Sequence, residues 1–524
     1  MSRHCQRLAI LALILLLGVT VRAEYYSSVS SMIVLGDVEL ELLMATRDFL
    51  KAQQEQLETY RDFIVNINNE HIMASEDFDD YLGNPLHAFK LLKRMVKDWK
   101  DLYENVVADK PLEDFRKKML ELTADDAFPD LDELRGAVKG LARLQQVYNL
   151  TAYDMADGVF NGIYEGAQLQ WHDCFDIAVQ LFELKQYKNA IEWFMVAADL
   201  LRQLDEDEKT KQKPLAEIHE YLALANYQLG HSELAHELLD PVVDLDSTSP
   251  AESTREYLNY NPPPSKCHEE QGFSWFSNYT RLCQGRRVPE STTTPLKCFL
   301  DSKRHAIFRL APLKVEQVHL DPDINVYHGI LTNSHIAGIL EQAEEHVMQR
   351  SGVAGGKDKS LIRDLRVSQQ TWLNYSSPIM EHVHDLVAAI SGFDMKSAEI
   401  MQVANYGVGG QYEPHPDYFD YLLPAGYEGD RISTSMFYLS DVAQGGYTVF
   451  TRLNVFLRPI KGAMVMWHNL HRSLRPDVRT QHAGCPVLVG SKRIGNIWIH
   501  SGHQEFSRPC ELFNDGEKST GLTL

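Results

Sequence analysis

The spacing of apolar residues changes character once along this chain, and that change restricts what it can fold into. Between residues 38 and 67 the positions Leu42, Ala45, Phe49, Ala52, Leu57, Tyr60, Ile64 and Ile67 step mostly by three or four, the interval of a single helix face. Beyond about residue 300 the pattern becomes short alternating segments, at 432–439, 447–450, 463–467 and 494–500. The pairs Gly409-Gly410, Gly445-Gly446 and Lys461-Gly462 punctuate them as turns. Many short strands with glycine turns imply a sandwich or jelly-roll barrel. The chain is therefore read as a multidomain α + β protein, helical first and β-rich last.

The helical part holds two kinds of pattern. A second amphipathic helix starts at Asn84-Pro85 with the face Leu86, Phe89, Leu92, Val96 and Trp99, and a third covers about 134–150. These fit a helical bundle or a coiled-coil-like seam for self-association. The segment 173–200, DCFDIAVQLFELKQYKNAIEWFMVAADL, instead has the helix-turn-helix texture of a tetratricopeptide repeat, with Tyr187, Ala190 and Phe194 on its second helix. A second copy begins near Glu217, with Gly230 at its turn and Ala235 in the place of Ala190. The polar insert 203–213 stretches the spacing beyond the ~34-residue repeat. Two units are too few for a long solenoid but enough for a small groove, carrying Phe182, Tyr187, Tyr221, Tyr227, Tyr257 and Tyr260.

Charge and cysteine set the context. With 51 basic against 73 acidic residues the net charge is −22, which argues against a broad grip on a phosphate backbone. Arg3 and Arg7 precede the apolar run 8–19, and Val21-Arg22-Ala23 offers a small-residue cleavage site, so residues 1–23 read as a secretory signal peptide. Its removal takes Cys5 and leaves Cys174, Cys267, Cys283, Cys298, Cys485 and Cys510 in a compartment that permits disulfides. Cys283 and Cys298 bracket an irregular stretch, and a local bridge between them is the economical expectation. The sequons at Asn149, Asn278 and Asn374 suit glycosylation in the same compartment. The terminal Gly521-Leu-Thr-Leu524 is not a retrieval tetrapeptide.

The chemistry lies in the β-rich part. In His415-Pro416-Asp417, strand alternation puts the His and Asp side chains on one side, and His482 supplies a third ligand. Two histidines and a carboxylate form the facial triad that binds Fe(II) and leaves coordination positions open. Lys492 follows ten residues after His482, across the apolar segment 486–489. An ammonium group in a confined barrel is costly unless an anion meets it. A dicarboxylate that chelates iron through its 2-oxo acid end would bring that anion, which points to 2-oxoglutarate.

Longer stretches carry a resemblance. NYGVGGQYEPHPD at 405–417, RISTSMFYLSDVAQGGYTVF at 431–450 and HAGCPVLVGSKRIGNIWIHSGHQEFSRPC at 482–510 resemble the α subunits of collagen prolyl 4-hydroxylases. NPLHAFKLLKRMVKDW and LRGAVKGLARLQQVYNL are similar to the amino-terminal region of the same family. The resemblance implies a helical dimerisation domain at 24–165 and a tetratricopeptide-like peptide-binding domain at 166–260. An irregular linker at 261–300 and a double-stranded β-helix dioxygenase domain at 301–524 would follow. His415, Asp417 and His482 would hold Fe(II), with Lys492, Tyr406 and Thr448 on the distal carboxylate of 2-oxoglutarate. His500 would orient the co-substrate and support its decarboxylation, and Tyr412, Arg431 and Trp498 would face the peptide, as would Tyr221, Tyr227 and Tyr257 in the groove. Ascorbate would keep the iron reduced. The activity implied is hydroxylation of peptidyl proline at C4, with O2 consumed and succinate and CO2 released. By the same resemblance Cys283 pairs with Cys298 and Cys485 with Cys510, Cys174 is a buried free thiol, and Cys267 has no assignment.

The chain departs from the family pattern at Leu224, where a tyrosine is usual, and at Thr254, where an amide is usual. These changes bear on peptide preference more than on reaction type. The resemblance further implies protein disulfide isomerase as β subunit in an α2β2 tetramer, collagen-like peptides as substrates, and the endoplasmic-reticulum lumen as location. Two alternatives stay open: a catalytically silent subunit that binds proline-rich peptides, and a hydroxylase of a non-collagen substrate.

Overall fold

The computed structural model describes residues 24–74, 85–123, 128–205, 207–245, 251–261, 275–287, 295–352, 365–407, 409–419 and 428–511. The expected signal peptide, Cys267 and the carboxy-terminal tetrapeptide lie outside them. The chain divides into two units, one built mainly on Ser30–Asp130, the other on Tyr26–Val29 with Leu131–Leu524. Among the described residues no helix is long and apolar enough to cross a membrane.

The first unit is helical. The helix expected at 38–67 runs as Val29–Ala74, because the pattern meets no proline and only Gly36 as a weak point. Pro85–Lys93, a π-helical turn Arg94–Asp98, Trp99–Ala108 and Lys110–Thr123 follow. Phe63 meets Trp99 edge-on at 5.2 Å and Phe49 stacks on Phe115 at 4.9 Å, so one stripe of the long helix is covered. Another is not: Leu43, Leu50, Leu57 and Ile64, seven residues apart, are all exposed.

The second unit begins with helix Leu131–Tyr148 and continues through Trp171–Glu183, Tyr187–Gln203, Glu208–Gln228, Ser232–Leu245 and Ala251–Tyr260. Asp173 caps the first repeat by accepting the Gln170 N–H at 2.8 Å. The insert 203–213 is partly helical. Lys211 is buried there and donates to the carbonyl of Leu204 at 3.2 Å, which satisfies the end of the preceding helix. Gly230 takes the left-handed conformation (φ 85°) between Glu208–Gln228 and Ser232–Leu245, where a side chain would be strained.

Two short strands, β1 (Val159–Phe160) and β2 (Ile163–Tyr164), pair before the repeats. The β-rich part then supplies β3 (Cys298–Asp301), β4 (Leu313–Leu320), β5 (Asp323–His328), β6 (Gln349–Arg350), β7 (Gln369–Leu373), β8 (Met401–Asn405) and β9 (Tyr412–His415). It closes with β10 (Arg431–Tyr438), β11 (Gln444–Gly445), β12 (Thr448–Phe450), β13 (Val455–Leu457), β14 (Met464–His468), β15 (His482–Gly484), β16 (Val487–Val489) and β17 (Arg493–His500). A nine-stranded antiparallel sheet has the order β3-β4-β5-β14-β10-β17-β8-β7-β6, and a four-stranded one the order β13-β12-β15-β9. This antiparallel architecture is that of a double-stranded β-helix, with apolar side chains such as Phe437, Phe450, Val465 and Trp467 buried.

One core joins helices to barrel: Val138, Val147, Leu181 and Trp193 cluster with Val449, Ala483 and Cys485. Here the expected disulfides are corrected. Cys283 bonds Cys485, with Cα atoms 5.5 Å apart, and not Cys298; Cys485 does not bond Cys510. The linker read as irregular contains helix Phe276–Cys283, which packs on β12 and β13 and delivers Cys283 next to the strand that pairs with β12. Proximity in space replaces proximity in sequence. Cys298 and Cys510 are exposed free thiols, and Cys174 is a buried one, as expected.

Candidate active site

The short sheet brings the three expected metal ligands together. His482 of β15 lies opposite His415 of β9, and Asp417 follows two residues past His415. One ligand atom from each of the three lies within 4.8 Å of the others. Asp417 has Oδ1 3.8 Å from His415 Nε2 and Oδ2 3.6 Å from His482 Nε2. Each imidazole is oriented from behind: His415 Nδ1 bonds the Glu413 carbonyl at 2.7 Å and His482 Nδ1 bonds the Thr480 carbonyl at 3.1 Å. A carbonyl only accepts, so Nδ1 carries the hydrogen and Nε2 turns a lone pair to the common point. Burial, followed by the neighbouring His482, depresses His415 to about 3, which keeps it an unprotonated ligand. For Asp417 burial opposes ionisation, but His482, His415 and Arg431 outweigh it and hold the carboxyl below its ordinary range. Thr434 Oγ1 donates to Asp417 Oδ2 at 2.7 Å and fixes the carboxylate plane.

The triad opens on a cavity of about 680 Å³. Lys492 lines it too and is 1% exposed. Its ammonium has no hydrogen-bond or ion-pair partner among the described residues, and burial lowers its pKa to about 7. It sits 5.2 Å from the Tyr406 ring centroid. Tyr406 and Thr448, both buried, line the cavity as well, and Thr448 Oγ1 is 2.9 Å from the Tyr438 hydroxyl. A buried ammonium without an anion is a costly arrangement unless a ligand completes it. The donor set therefore fits a 2-oxo dicarboxylate: three metal-ligand atoms and an unmatched cation share one cavity.

Comparison with known proteins agrees. The family described as "Prolyl 4-Hydroxylase alpha-subunit, N-terminal region" matches residues 28–162, the "Prolyl 4-hydroxylase peptide-substrate-binding domain" matches 171–260, and the "2OG-Fe(II) oxygenase superfamily" matches 401–500. Prolyl 4-hydroxylase subunit alpha-1 of Bos taurus is 31% identical over 519 residues, covering 93% of this chain and 96% of that protein. Subunit alpha-2 of Gallus gallus is 31% identical over 93% of this chain and 95% of its own length, and subunit alpha-3 of Homo sapiens is 32% identical over 96% and 98%. The chain belongs to the prolyl 4-hydroxylase alpha-subunit family. It carries that family's 2-oxoglutarate-dependent dioxygenase domain, whose cofactors are Fe(II) and 2-oxoglutarate; ascorbate is typical of the family.

Other expected site residues of this alpha-subunit relative fall into place unevenly. Tyr412 stacks on His415 with centroids 3.4 Å apart, and the Arg366 guanidinium lies 4.7 Å from its ring. Arg431 is held by Glu399 (2.6 and 2.9 Å) and lies 4.1 Å from the Trp498 ring centroid and 4.8 Å from that of Phe419. His500 does not line the cavity. It is 1% exposed, with Nδ1 2.8 Å from the Gly429 carbonyl and Nε2 2.8 Å from Glu399. Burial works against ionising Glu399, but the hydrogen bonds from His500 and Arg431 outweigh it and keep its carboxyl below the usual range. Sequence reasoning missed Glu399 and Arg366, single charges in otherwise ordinary segments. A buried carboxylate and a buried guanidinium just ahead of β8 and β7 are legible only once those strands are paired.

In the helical groove Tyr221 stacks on Phe194 at 5.2 Å and meets Phe182 and Phe175 edge-on, while Phe182 also contacts Tyr187. Tyr257 is 51% exposed. Tyr227 is a correction: it is buried with Ala223, Ala235 and Leu258, and its hydroxyl donates to the Leu258 carbonyl at 3.0 Å. Six residues past Tyr221 it points about 120° away around the helix, so it packs the repeat and offers the groove nothing. Among the sequons, Asn149 and Asn374 are exposed, whereas Asn278 is half-buried and its amide donates to the Thr451 carbonyl.

Proposed function

We propose that this chain hydroxylates peptidyl proline at C4 in collagen-like X-Pro-Gly sequences, with His415, Asp417 and His482 as iron ligands and Lys492 receiving the distal carboxylate of 2-oxoglutarate. The observation that carries it is the sharing of one cavity by three converging ligand atoms and a buried ammonium with no counter-ion among the described residues. When bound, Fe(II) with 2-oxoglutarate supplies the oxidising power from O2, releasing succinate and CO2.

The chain's own residues bind, orient and exclude. Lys492, helped by the Tyr406 and Thr448 hydroxyls, neutralises the co-substrate tail away from bulk water, where a charge pair is strongest. Tyr412 and Trp498 line the wall of the cavity that would meet the proline ring. Arg431, locked by Glu399 and laid against Trp498, is fixed as a donor toward the peptide. His500, through Glu399, positions Arg431 from behind, which is a supporting place and not one in contact with co-substrate.

The helices at 166–260 serve as the peptide-binding domain, with the aromatic cluster around Tyr221 and the exposed Tyr257 holding a polyproline II strand whose shape is preformed. The helices at 24–165 serve as the dimerisation domain, supported by the seven-residue repeat of Leu43, Leu50, Leu57 and Ile64. Protein disulfide isomerase as β subunit in an α2β2 tetramer, and residence in the endoplasmic-reticulum lumen after removal of residues 1–23, complete the reading. The test is co-expression with protein disulfide isomerase and assay on a Pro-Pro-Gly repeat peptide. Hydroxyproline should form in step with succinate and require Fe(II); peptide binding without product would overturn the enzymatic reading.

A further inference from the structure

Tyr26, Ser27 and Ser28 belong to the second unit, although nearly a hundred residues of the first unit separate them in sequence from its remainder. Ser27 and Ser28 are fully buried. The Tyr26 N–H donates to Glu133 at 3.1 Å, Gln369 Nε2 donates to Ser27 Oγ at 3.0 Å, and Asn405 Oδ1 accepts from Ser28 Oγ at 3.3 Å and from the Val29 N–H at 3.2 Å. The Arg350 guanidinium lies 5.7 Å from the Tyr26 ring centroid. Two glycines make room for this segment. A Cβ on Gly136 of helix Leu131–Tyr148 would lie 2.3 Å from the Tyr26 ring, and one on Gly407 would lie 2.1 Å from the Tyr26 carbonyl oxygen and 2.5 Å from Ser28 N.

The position of those contacts gives them meaning. Asn405 and Gly407 are the two neighbours of Tyr406, and the Tyr406 N–H donates to the Lys492 carbonyl at 3.0 Å. The segment thus grips both sides of the one residue that joins Lys492 along the backbone and shares its end of the cavity. We propose that Tyr26–Ser28 form a strap that positions Tyr406 and Lys492 for the distal carboxylate of 2-oxoglutarate, making the amino-terminal end of the chain a supporting part of the co-substrate site. The contacts named above run to Glu133, Gln369, Asn405 and Gly407, on the Tyr406 side of the cavity, so the expected effect is on the co-substrate. The inference rests on the reading of Lys492 as the carboxylate partner.

Gly136→Ala is the incisive variant, because alanine favours the helix that carries it while its methyl group collides with Tyr26. Ser28→Ala is a mild companion that removes one hydrogen bond and leaves folding intact. Both are assayed in the full chain co-expressed with protein disulfide isomerase, with 2-oxoglutarate and peptide varied separately. Each should raise KM for 2-oxoglutarate, on the order of fivefold for the loss of about one hydrogen bond's worth of positioning, while kcat and peptide KM stay within about twofold. Adding Tyr26→Ala to Gly136→Ala removes the collision and should restore KM toward wild type. Wild-type KM in both single variants, or equal increases for co-substrate and peptide, would sink the strap. If instead Lys492→Ala itself leaves KM for 2-oxoglutarate unchanged, the underlying assignment of Lys492 fails, which the same assay distinguishes.

Discussion

The barrel cavity and the helical groove are both lined by aromatic and polar side chains, yet they are built on opposite plans. In the cavity the groups stand on paired strands or directly beside them: His415 opposite His482, Lys492 immediately before β17, and Thr434 on β10 holding Asp417. In the groove the aromatics stand on helix faces, Tyr257 is half exposed, and the rings hold one another by edge and stacking contacts. A charged, buried site tolerates little substitution, because an orphaned ion costs several kcal/mol. An apolar, open one is retuned in steps of about 1 kcal/mol per ring. Under the proposed function the reaction is written in the barrel and the preference in the groove, so Leu224 and Thr254 bear on which peptide binds and the triad on whether it reacts.

Substitutions can separate the two. His415→Ala or Asp417→Ala should abolish hydroxyproline and succinate formation, a loss beyond about 1,000-fold, while isothermal titration still detects wild-type affinity for a proline-rich peptide in the groove; loss of both together would break the contrast. Lys492→Ala should raise KM for 2-oxoglutarate by at least about 30-fold, the lower end for removing one partner of a buried charge pair, with peptide affinity unaltered. The pH dependence has a definite sign. Burial lowers the free Lys492 ammonium to about 7, so above that pH the empty site has lost its proton and must regain it as the dianion binds. Affinity for 2-oxoglutarate should therefore fall as pH rises through and beyond 7, approaching about tenfold per unit; an affinity that improves across that range would contradict the assignment.

Smaller effects sharpen the groove. Leu224→Tyr should tighten peptide binding by about 0.5–1.5 kcal/mol, up to roughly tenfold, through one added ring beside the Tyr221 cluster, with kcat unchanged. Tyr227→Phe should leave peptide affinity where it is and cost about 1 kcal/mol of unfolding free energy by losing the bond to Leu258. A weaker peptide KM in Tyr227→Phe would return that residue to the groove.

How much of this was legible beforehand follows from the range of the signals. The His415–Asp417 pair and the strands are visible because the H-x-D spacing and strand period are local, and the helices because their three-or-four step repeats over many turns; His482 and Lys492, far downstream, come from chemistry and resemblance. Contacts between distant segments leave no such trace. The Cys283–Cys485 bond spans 202 residues and depends on a helix hidden in a stretch that reads as irregular. Glu399 matters only because its N–H bonds the Trp498 carbonyl of β17 and the β10–β17 pairing sets Arg431 opposite His500. Tyr227 was misread because its type suits a groove, whereas its angle around the helix, not its chemistry, decides where it goes. The strap is the extreme case: Tyr-Ser-Ser has no pattern at all until Gly136 and Gly407 are seen to clear its path.

Gly484 shows such clearance from inside the same end of the cavity. A methyl group there would stand 3.6 Å from Lys492 Nζ and 3.8 Å from the Tyr406 hydroxyl. Two residues earlier the same strand bears His482. His482 and bare backbone are thus notches on one rigid rule, and under the proposed chemistry the barrel acts as a gauge of molecular length: a keto diacid one methylene too short lets go at one end, and a side chain larger than a methyl group at Gly484 shifts the measure.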